Sequence, residues 1–405
     1  MIYVFYSNDP LAHDLGGGAE HFRGIYRALA ASGLDFRLIA ARLQDVHADP
    51  RVVYISRGSS FPRFWLATWR WFWHRRKSFV AHDVFHFHRN YAAWPKLVLA
   101  PRTGRVVVSY HNVTGRVLEG KLGRLARPIR AAMLWLERKV ARRADAIVCV
   151  SDRDRRELGA IVDPGPFTRA HVIPAAFDGS LFAAADTAPP APELAHRLLV
   201  LGRISHQKNL PLAIATLEEL TRRGTPHTLT VAGDGEGARD LIRRIARSPA
   251  KERIQWLGRV PHDEVPALLG RHGILLLSSR YEASPTVVKE ALKAKRPVVT
   301  TDVGDVAEWL AEGRTGFVRA ADPAALAEGV EAATRLILEG RYARDTNEPE
   351  RTNEPETTAL AGAIAPVRTS RHGSPKEPSP NGPEGLDEAA IMGRVVHLYR
   401  RLQAG

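Results

Sequence analysis

Residues 274–318 read ILLLSSRYEASPTVVKEALKAKRPVVTTDVGDVAEWLAEGRTGFV, and the fold turns on how they are parsed. Ile274–Leu277 is an apolar run short enough for a buried strand and too short for a helix. Ser284-Pro285 then reads as an N-cap followed by proline at the first helical position. The spacing predicts a helix to about Lys295, with Pro297 opening a second strand over Val298–Thr301. Such a helix leaves the amides of Thr286 and Val287 without intrahelical partners, at the positive end of the macrodipole, where a phosphate can sit. Glu282 precedes the helix and Glu290 lies inside it, roughly 9 Å along the axis from the cap. Two acids so spaced can hold two ends of an elongated ligand. A capped helix with solvated acids is the competing reading of the same residues.

Strand and helix alternate on both sides of this stretch. Upstream, strands are expected at Ile2–Ser7, Phe36–Ala40, Arg51–Ile55, Asp83–His88, Val106–Tyr110, Ala146–Ser151 and Val172–Ile173. After the linker-like segment Asp186–Pro192 (DTAPPAP), further strands are expected at Leu198–Leu201, Leu229–Ala232 and Ile254–Gly258. The pattern is that of doubly wound parallel sheets. Gly16-Gly17-Gly18 stands between the first strand and a helix over Ala19–Ala31, either a phosphate-approaching turn or simply a flexible one. His111-Asn112 follows a strand end, where open α/β sheets place site residues. Arg203 and Lys208 flank the strand-to-helix turn after Leu201, well placed for a diphosphate if they are not scattered surface charge. His86 and His88 share one strand face, but a metal needs more ligands than two, so core or cleft histidines are expected.

The 405-residue chain is long enough for two domains with substantial cores. Its one cysteine, Cys149, sits in an apolar run and excludes an intrachain disulfide, which fits a reducing, cytoplasmic compartment. The first residues show no charged-then-apolar leader, and no apolar stretch reaches 18 residues, so neither secretion nor a membrane span is expected. Net charge is +14, and residues 1–175 hold 28 Lys and Arg against 14 Asp and Glu, which accounts for all of it. The first half therefore suits a polyanion or an anionic membrane surface. Phe61–Val80 (FPRFWLATWRWFWHRRKSFV) sharpens the choice: Trp65, Trp69, Phe72 and Trp73 fall at helical spacing among Arg70, Arg75, Arg76 and Lys77. That composition suits a membrane interface, and equally a crossover helix packing its tryptophans on the sheet. From about Gly340 the texture changes. TNEPE occurs at 346–350 and 352–356, and seven prolines fall between Pro349 and Pro383, a composition that cannot bury enough surface to fold. Ile391, Val395, Leu398 and Leu402 then mark an amphipathic helix.

Taken together, GGGAEHFRGIYRALAASG (16–33), DVFHFH (83–88), SYHN (109–112), ADAIVCVSD (144–152), VIPAAFDGSLF (172–182), LLVLGRISHQKNLPLAI (198–214), LTVAGDGEG (229–237), RIQWLGRVP (253–261) and residues 281–310 resemble the family-4 retaining glycosyltransferases. The resemblance implies the GT-B architecture: two Rossmann-like domains facing across a cleft. It assigns 1–185 to an acceptor-binding domain and 194–339 to a nucleotide-sugar-binding domain, with 340–385 as a disordered insert and the terminal helix, 386–403, crossing back to the first domain.

It further implies Arg203 and Lys208 on the donor diphosphate, Glu282 by the transferred sugar, Glu290 on the nucleotide ribose and the Thr286 and Val287 amides on phosphate. Val260 would offer main chain to the base, Gly16 and Gly17 would lie near donor phosphate and acceptor, and His111 near the donor sugar. Expected partners are a nucleotide-diphospho-sugar and a glycan or lipid-linked acceptor, without nucleic acid, cofactor or metal; Asp152-x-Asp154 is read as a helix start. Three positions depart from the family pattern. Its Glu-Gly-Phe-Gly reads Glu282-Ala283-Ser284-Pro285, its Pro-Asn-Gly reads Pro174-Ala175-Ala176, and its paired glycines read Gly304-Asp305. Pro285 brings no amide, so one donor contact is absent or remade.

Rival readings are a soluble small-molecule acceptor, an inactive or isomerising relative, a basic nucleic-acid-binding protein and a nicotinamide dehydrogenase. No nucleic-acid module is recognisable, and Gly233-x-Gly235-x-Gly237 has the wrong spacing for a dinucleotide fingerprint.

Overall fold

A computed structural model describes residues 1–9, 17–42, 49–58, 60–110, 126–183, 188–342 and 388–404. Gly16, His111 and most of the Pro-rich insert (343–387) lie outside these residues. Strands β1 (Ile2–Tyr6), β2 (Phe36–Arg42), β3 (Val52–Arg57), β4 (Val84–Phe87), β5 (Arg105–Tyr110), β6 (Ala146–Cys149) and β7 (His171–Val172) form one sheet in the order β3-β2-β1-β4-β5-β6-β7. Strands β8 (Arg197–Leu201), β9 (Thr228–Ala232), β10 (Ile254–Gly258), β11 (Ile274–Leu277), β12 (Val298–Thr301) and β13 (Gly316–Arg319) form a second, in the order β10-β9-β8-β11-β12-β13. All the pairings within both sheets are parallel. Among the described residues, the helices of eight or more residues are α1 (Gly17–Ala31), α2 (Phe61–Arg75), α3 (Ala126–Arg143), α4 (Asp152–Ile161), α5 (Leu210–Arg222), α6 (Ala238–Ala246), α7 (Thr286–Lys293), α8 (Pro323–Leu338) and α9 (Glu388–Ala404).

Each sheet is buried on both faces, as parallel sheets must be, and the period of two sorts their side chains. On the first sheet Phe5, Phe85 and Phe87 face one core with Phe64, Trp71 and Phe72 of α2. Ile2, Val4, Tyr6 and Val84 face the other, with Phe22, Ile25 and Leu29 of α1. In the second sheet Ile274 and Leu276 point to α5 and α8, whereas Leu275 and Leu277 point to α7.

The terminal helix α9 crosses back onto the first sheet, as the resemblance implies. Ile391, Met392, Val395, Leu398 and Tyr399 enter the α1-side core, each worth roughly 1.5–3 kcal/mol of gross transfer free energy. The Arg27 guanidinium donates to Glu388 through Nε at 2.9 Å and Nη2 at 2.7 Å, and His86 bridges the Tyr399 hydroxyl and Ser109. His86 is thus a core histidine.

The structure sharpens one reading, corrects a second and adds an element to a third. In α2 the buried stripe is Phe64, Thr68, Trp71 and Phe72, the i, i+4, i+7, i+8 positions; Trp65 and Trp69 are half-buried and Trp73 is 54% exposed. The helix is therefore a crossover element that also leaves aromatic surface outside. The opening stretch holds a shorter helix than its spacing predicts: it begins at Thr286, ends at Lys293, and Pro285 occupies the cap position without a side-chain bond. Finally, α8 follows Val318, where the sequence reading placed no helix, although Asp322 caps it by accepting from the Ala324 and Ala325 amides ahead of Pro323. Asp152 and Asp154 do open a helix, α4, capped by Ser151.

Candidate active site

In the second sheet the strand order reverses between β8 and β11, and the chain crosses to opposite faces there. Ligands of open α/β sheets bind outside the carboxyl ends at such a point. The two loops leaving these strands meet. Gly202, with φ +136°, turns the chain at the end of β8, and the Lys208 stem passes over it; a Cβ there would stand 3.2 Å from Lys208 Cε. Lys208 Nζ reaches Glu282 Oε1 at 2.8 Å, with side chains 17% and 10% exposed. Glu282 also accepts from Ser279 Oγ at 2.8 Å and Gln207 Nε2 at 3.0 Å. Gln207 and Ser279 thus join the candidate site, which the sequence reading did not foresee; only the tertiary meeting of the two loops makes them carboxylate partners. The loops are further stitched by Arg280 N–H to Gln207 O (2.8 Å) and by Ser278 Oγ to Lys208 O (3.0 Å).

The other expected residues are distributed as follows. The Thr286 and Val287 amides are the first two of α7 and have no carbonyl one turn earlier within the helix. Glu290 lies in its second turn and is 4% exposed; with the helix starting later, its axial distance from the cap is about 7.5 Å. Val260 follows β10, half-buried against the cluster that includes Val287 and Trp309. Gly17 opens α1. Arg203 is not gathered with Lys208: it is 74% exposed and pairs with Glu236 at 2.9 Å, a solvent-screened contact worth little by itself. Gly16 and His111 lie outside the described residues.

Ser284 does not cap α7 because its hydroxyl is engaged elsewhere, donating to Asp305 Oδ2 at 2.6 Å and accepting from Lys289 Nζ at 2.8 Å. Behind it, Ala176 N–H donates to His21 Nδ1 of α1 at 3.1 Å. Burial, with Lys289 and His86 nearby, pushes the His21 pKa down to about 3, so the ring stays neutral and able to accept. The unfolded ring titrates near 6.5. This contribution is therefore complete above pH 6.5 and is lost as pH falls toward 3, at about 1.4 kcal/mol per pH unit. Urea midpoints measured between pH 7.5 and 5 should fall for the wild type and fall less steeply for His21→Gln. An identical slope in the variant would refute the assignment.

Among the described residues, no group of three or more His, Cys, Asp or Glu side chains could hold a metal ion, and no helix is long and apolar enough to cross a membrane.

Comparison with known proteins gives this geometry its context. Residues 15–180 match the family model described as Glycosyltransferase Family 4, and residues 186–345 match Glycosyl transferases group 1. The chain is 30% identical to the glycogen synthase of Mycobacterium tuberculosis over 311 residues, covering 74% of this chain and 72% of the relative. It is 31% identical to the alpha-D-kanosaminyltransferase of Streptomyces kanamyceticus over 211 residues, 50% of this chain and only 54% of that protein. In fold it resembles sucrose-phosphate synthase from Thermosynechococcus elongatus, with TM-score 0.75 at 18% identity and coverage of 100% and 99%. It also resembles Anabaena HepE in complex with UDP-glucose, with TM-score 0.61 at 16% identity and coverage of 99% and 98%. The chain belongs to glycosyltransferase family 4: it has the GT-B fold and is a sugar-transferring enzyme of the hexosyltransferase type.

Proposed function

We propose that the protein moves a sugar, with retention of configuration, from a nucleotide-diphospho-sugar to an acceptor hydroxyl in the biosynthesis of a cell-envelope polysaccharide or glycolipid. The observation that carries this reading is the Lys208–Glu282 pair, 2.8 Å apart, at the switch point of the second sheet. Lys208 and the bare Thr286 and Val287 amides meet the leaving diphosphate, and the exposed Arg203 adds a second cation by exchanging Glu236 for phosphate. These preplaced positive charges do the work that a metal ion performs elsewhere, so the reaction is metal-independent in this reading. Glu282, held by Gln207 and Ser279, faces the transferred sugar, and Glu290 the ribose. The leaving phosphate helps to deprotonate the acceptor hydroxyl on the same face. Structural neighbours solved with UDP and with UDP-glucose support a nucleotide-sugar donor.

The first lobe takes the acceptor. Its exposed large apolar side chains include Leu66, Trp73, Val80, Val98 and Trp135, and the Arg76 guanidinium lies 4.1 Å from the Trp73 ring centre. Aromatic rings with cations on them, in the half that carries the whole excess charge, favour a lipid-linked acceptor at the inner face of the plasma membrane. The protein should float with anionic lipid vesicles, and Trp73→Ala/Arg76→Ala should not. A soluble small-molecule acceptor is the second reading, supported by 26% identity to the 2-deoxystreptamine glucosyltransferase of Streptomyces kanamyceticus over 277 residues; failure to float would favour it. Incubation with UDP-, GDP-, ADP- and dTDP-glucose tests the donor. Release of nucleoside diphosphate, with an α-configured product or α-glucose by NMR, is expected from at least one. A β-configured product would overturn retention.

A further inference from the structure

Lys289 of α7 is a buried charge that the transfer reaction does not use. Its side chain is 0% exposed, yet its ammonium is fully engaged. It donates to Ala175 O at 2.8 Å and to Ser284 Oγ at 2.8 Å, lies 3.7 Å from Asp305 Oδ2, and stands 4.5 Å from the Trp309 ring centre. Ser284 Oγ in turn donates a hydrogen bond to Asp305 Oδ2 at 2.6 Å. Asp305 follows Gly304, whose backbone supports the donor-side loop so closely that a Cβ would stand 2.7 Å from Ala283 O and 2.9 Å from Glu282 O. On the other side, Ala175 and Ala176 belong to the chain segment that leaves β7 toward the second lobe, and Ala176 is held by His21 of α1. One continuous line of contacts thus runs from α1, through Ala175–Ala176, to Lys289 and on to the loop that carries Glu282. All three departures from the family pattern, at Ser284-Pro285, Ala175-Ala176 and Asp305, meet around this one ammonium.

A well-packed apolar side chain in place of a buried ion pair is often neutral or stabilising, so stability alone does not call for this arrangement. We propose that Lys289 is a positioning residue. With Ser284 and Asp305 it clamps the Glu282–Pro285 loop to the Ala175–Ala176 segment, setting the sugar-side wall of the donor site in register with the first lobe. The inference rests on the donor reading above. It places Lys289 outside the phosphate seat formed by Lys208 and the α7 amides.

The test uses the whole protein and the glucose nucleotide of the four that binds wild type. If wild type binds none of them, the donor reading fails and the clamp fails with it. Lys289→Met leaves Asp305 buried without its cation and lowers the melting temperature; Lys289→Met/Asp305→Asn removes both charges and restores it. In the double variant, kcat at saturating donor is expected to stay at least tenfold down, while affinity for the bare nucleoside diphosphate stays within twofold of wild type. A double variant that melts and turns over like the wild type would make the cluster merely structural and overturn the proposal. So would a parallel loss of nucleoside-diphosphate affinity, which would place Lys289 in the phosphate seat. Should neither variant fold, Ser284→Ala removes the hydroxyl bridge and keeps both charges. A fivefold fall in kcat with unchanged nucleoside-diphosphate affinity supports the clamp, and unchanged kcat refutes it.

Discussion

Lys208→Ala should lower turnover by about 10²–10³-fold while leaving the protein folded, the cost typical of deleting one preorganised donor aimed at developing charge. Lys208 lies in the turn after β8, its stem laid across Gly202 and its ammonium 2.8 Å from Glu282. In the resting protein that ammonium is balanced by a carboxylate, so it is already desolvated and fixed before a diphosphate arrives. The leaving group then gains a cation at little reorganisation cost. Without Lys208, Glu282 keeps the neutral donors Gln207 and Ser279, and its negative charge is no longer balanced by that ammonium as the phosphates depart. The loss should fall on kcat more than on KM, because charge on the bridging oxygen grows only as the sugar departs. Lys208→Arg should recover part of the rate, its longer fork fitting the turn less well. Steady-state kinetics with circular dichroism as the folding control measures both. Near-normal turnover by Lys208→Ala would count decisively against the assigned role.

The second large effect is on stability. Gly233→Ala should cost at least about 4 kcal/mol and lower the melting temperature by more than about 8 °C. Gly233 follows β9 at φ +141°, and a Cβ there would stand 1.9 Å from Gly202 O and 2.8 Å from its carbonyl carbon. Those atoms cannot step aside cheaply. Gly202 N–H is bonded to Ala232 O at 3.0 Å and Gly233 N–H to Gly258 O at 2.7 Å, so the ends of β8, β9 and β10 are tied into one ladder. A methyl group would push that ladder apart beneath Lys208, and loss of activity should accompany the loss of stability. Gly224→Ala is the matched control in the same lobe: φ is +78° but nothing lies within 4 Å of its Cβ position, so only left-handed strain of about 1–2 kcal/mol is expected. Differential scanning calorimetry of the pair separates contact from conformation, and equal costs would contradict the geometry.

Much of this was legible from local pattern. Apolar runs of four or five residues bounded by Gly and Pro marked β8, β9, β11 and β12 because parallel strands buried on both faces have no polar alternation to disguise them. The Ile391, Val395, Leu398, Leu402 stripe marked α9 for the equivalent reason at period 3.6. Lys208 and Glu282 stand out locally as candidates, but their pairing does not: 74 positions separate them, and nothing local to either turn encodes the other. The same limit hid Gln207 and Ser279 behind Glu282, and Lys289 beneath Ser284. It also explains the misplaced cap. Ser284-Pro285 carries a strong local start signal, but the tertiary pull of Asp305 and Lys289 on the hydroxyl wins, and the helix begins one residue later, at Thr286. In α2 the local signal was ambiguous because tryptophans occur all round the helix; only packing against Phe5, Phe85 and Phe87 selects Trp71 and Phe72 for the core.

The most direct test of the account is calorimetric titration of the purified protein with UDP-, GDP-, ADP- and dTDP-glucose, repeated on Lys208→Ala. The account predicts saturable one-to-one binding of at least one of the four to the wild type, with affinity reduced in the variant. Absence of measurable binding to every one of them, or binding indifferent to loss of Lys208, would contradict it.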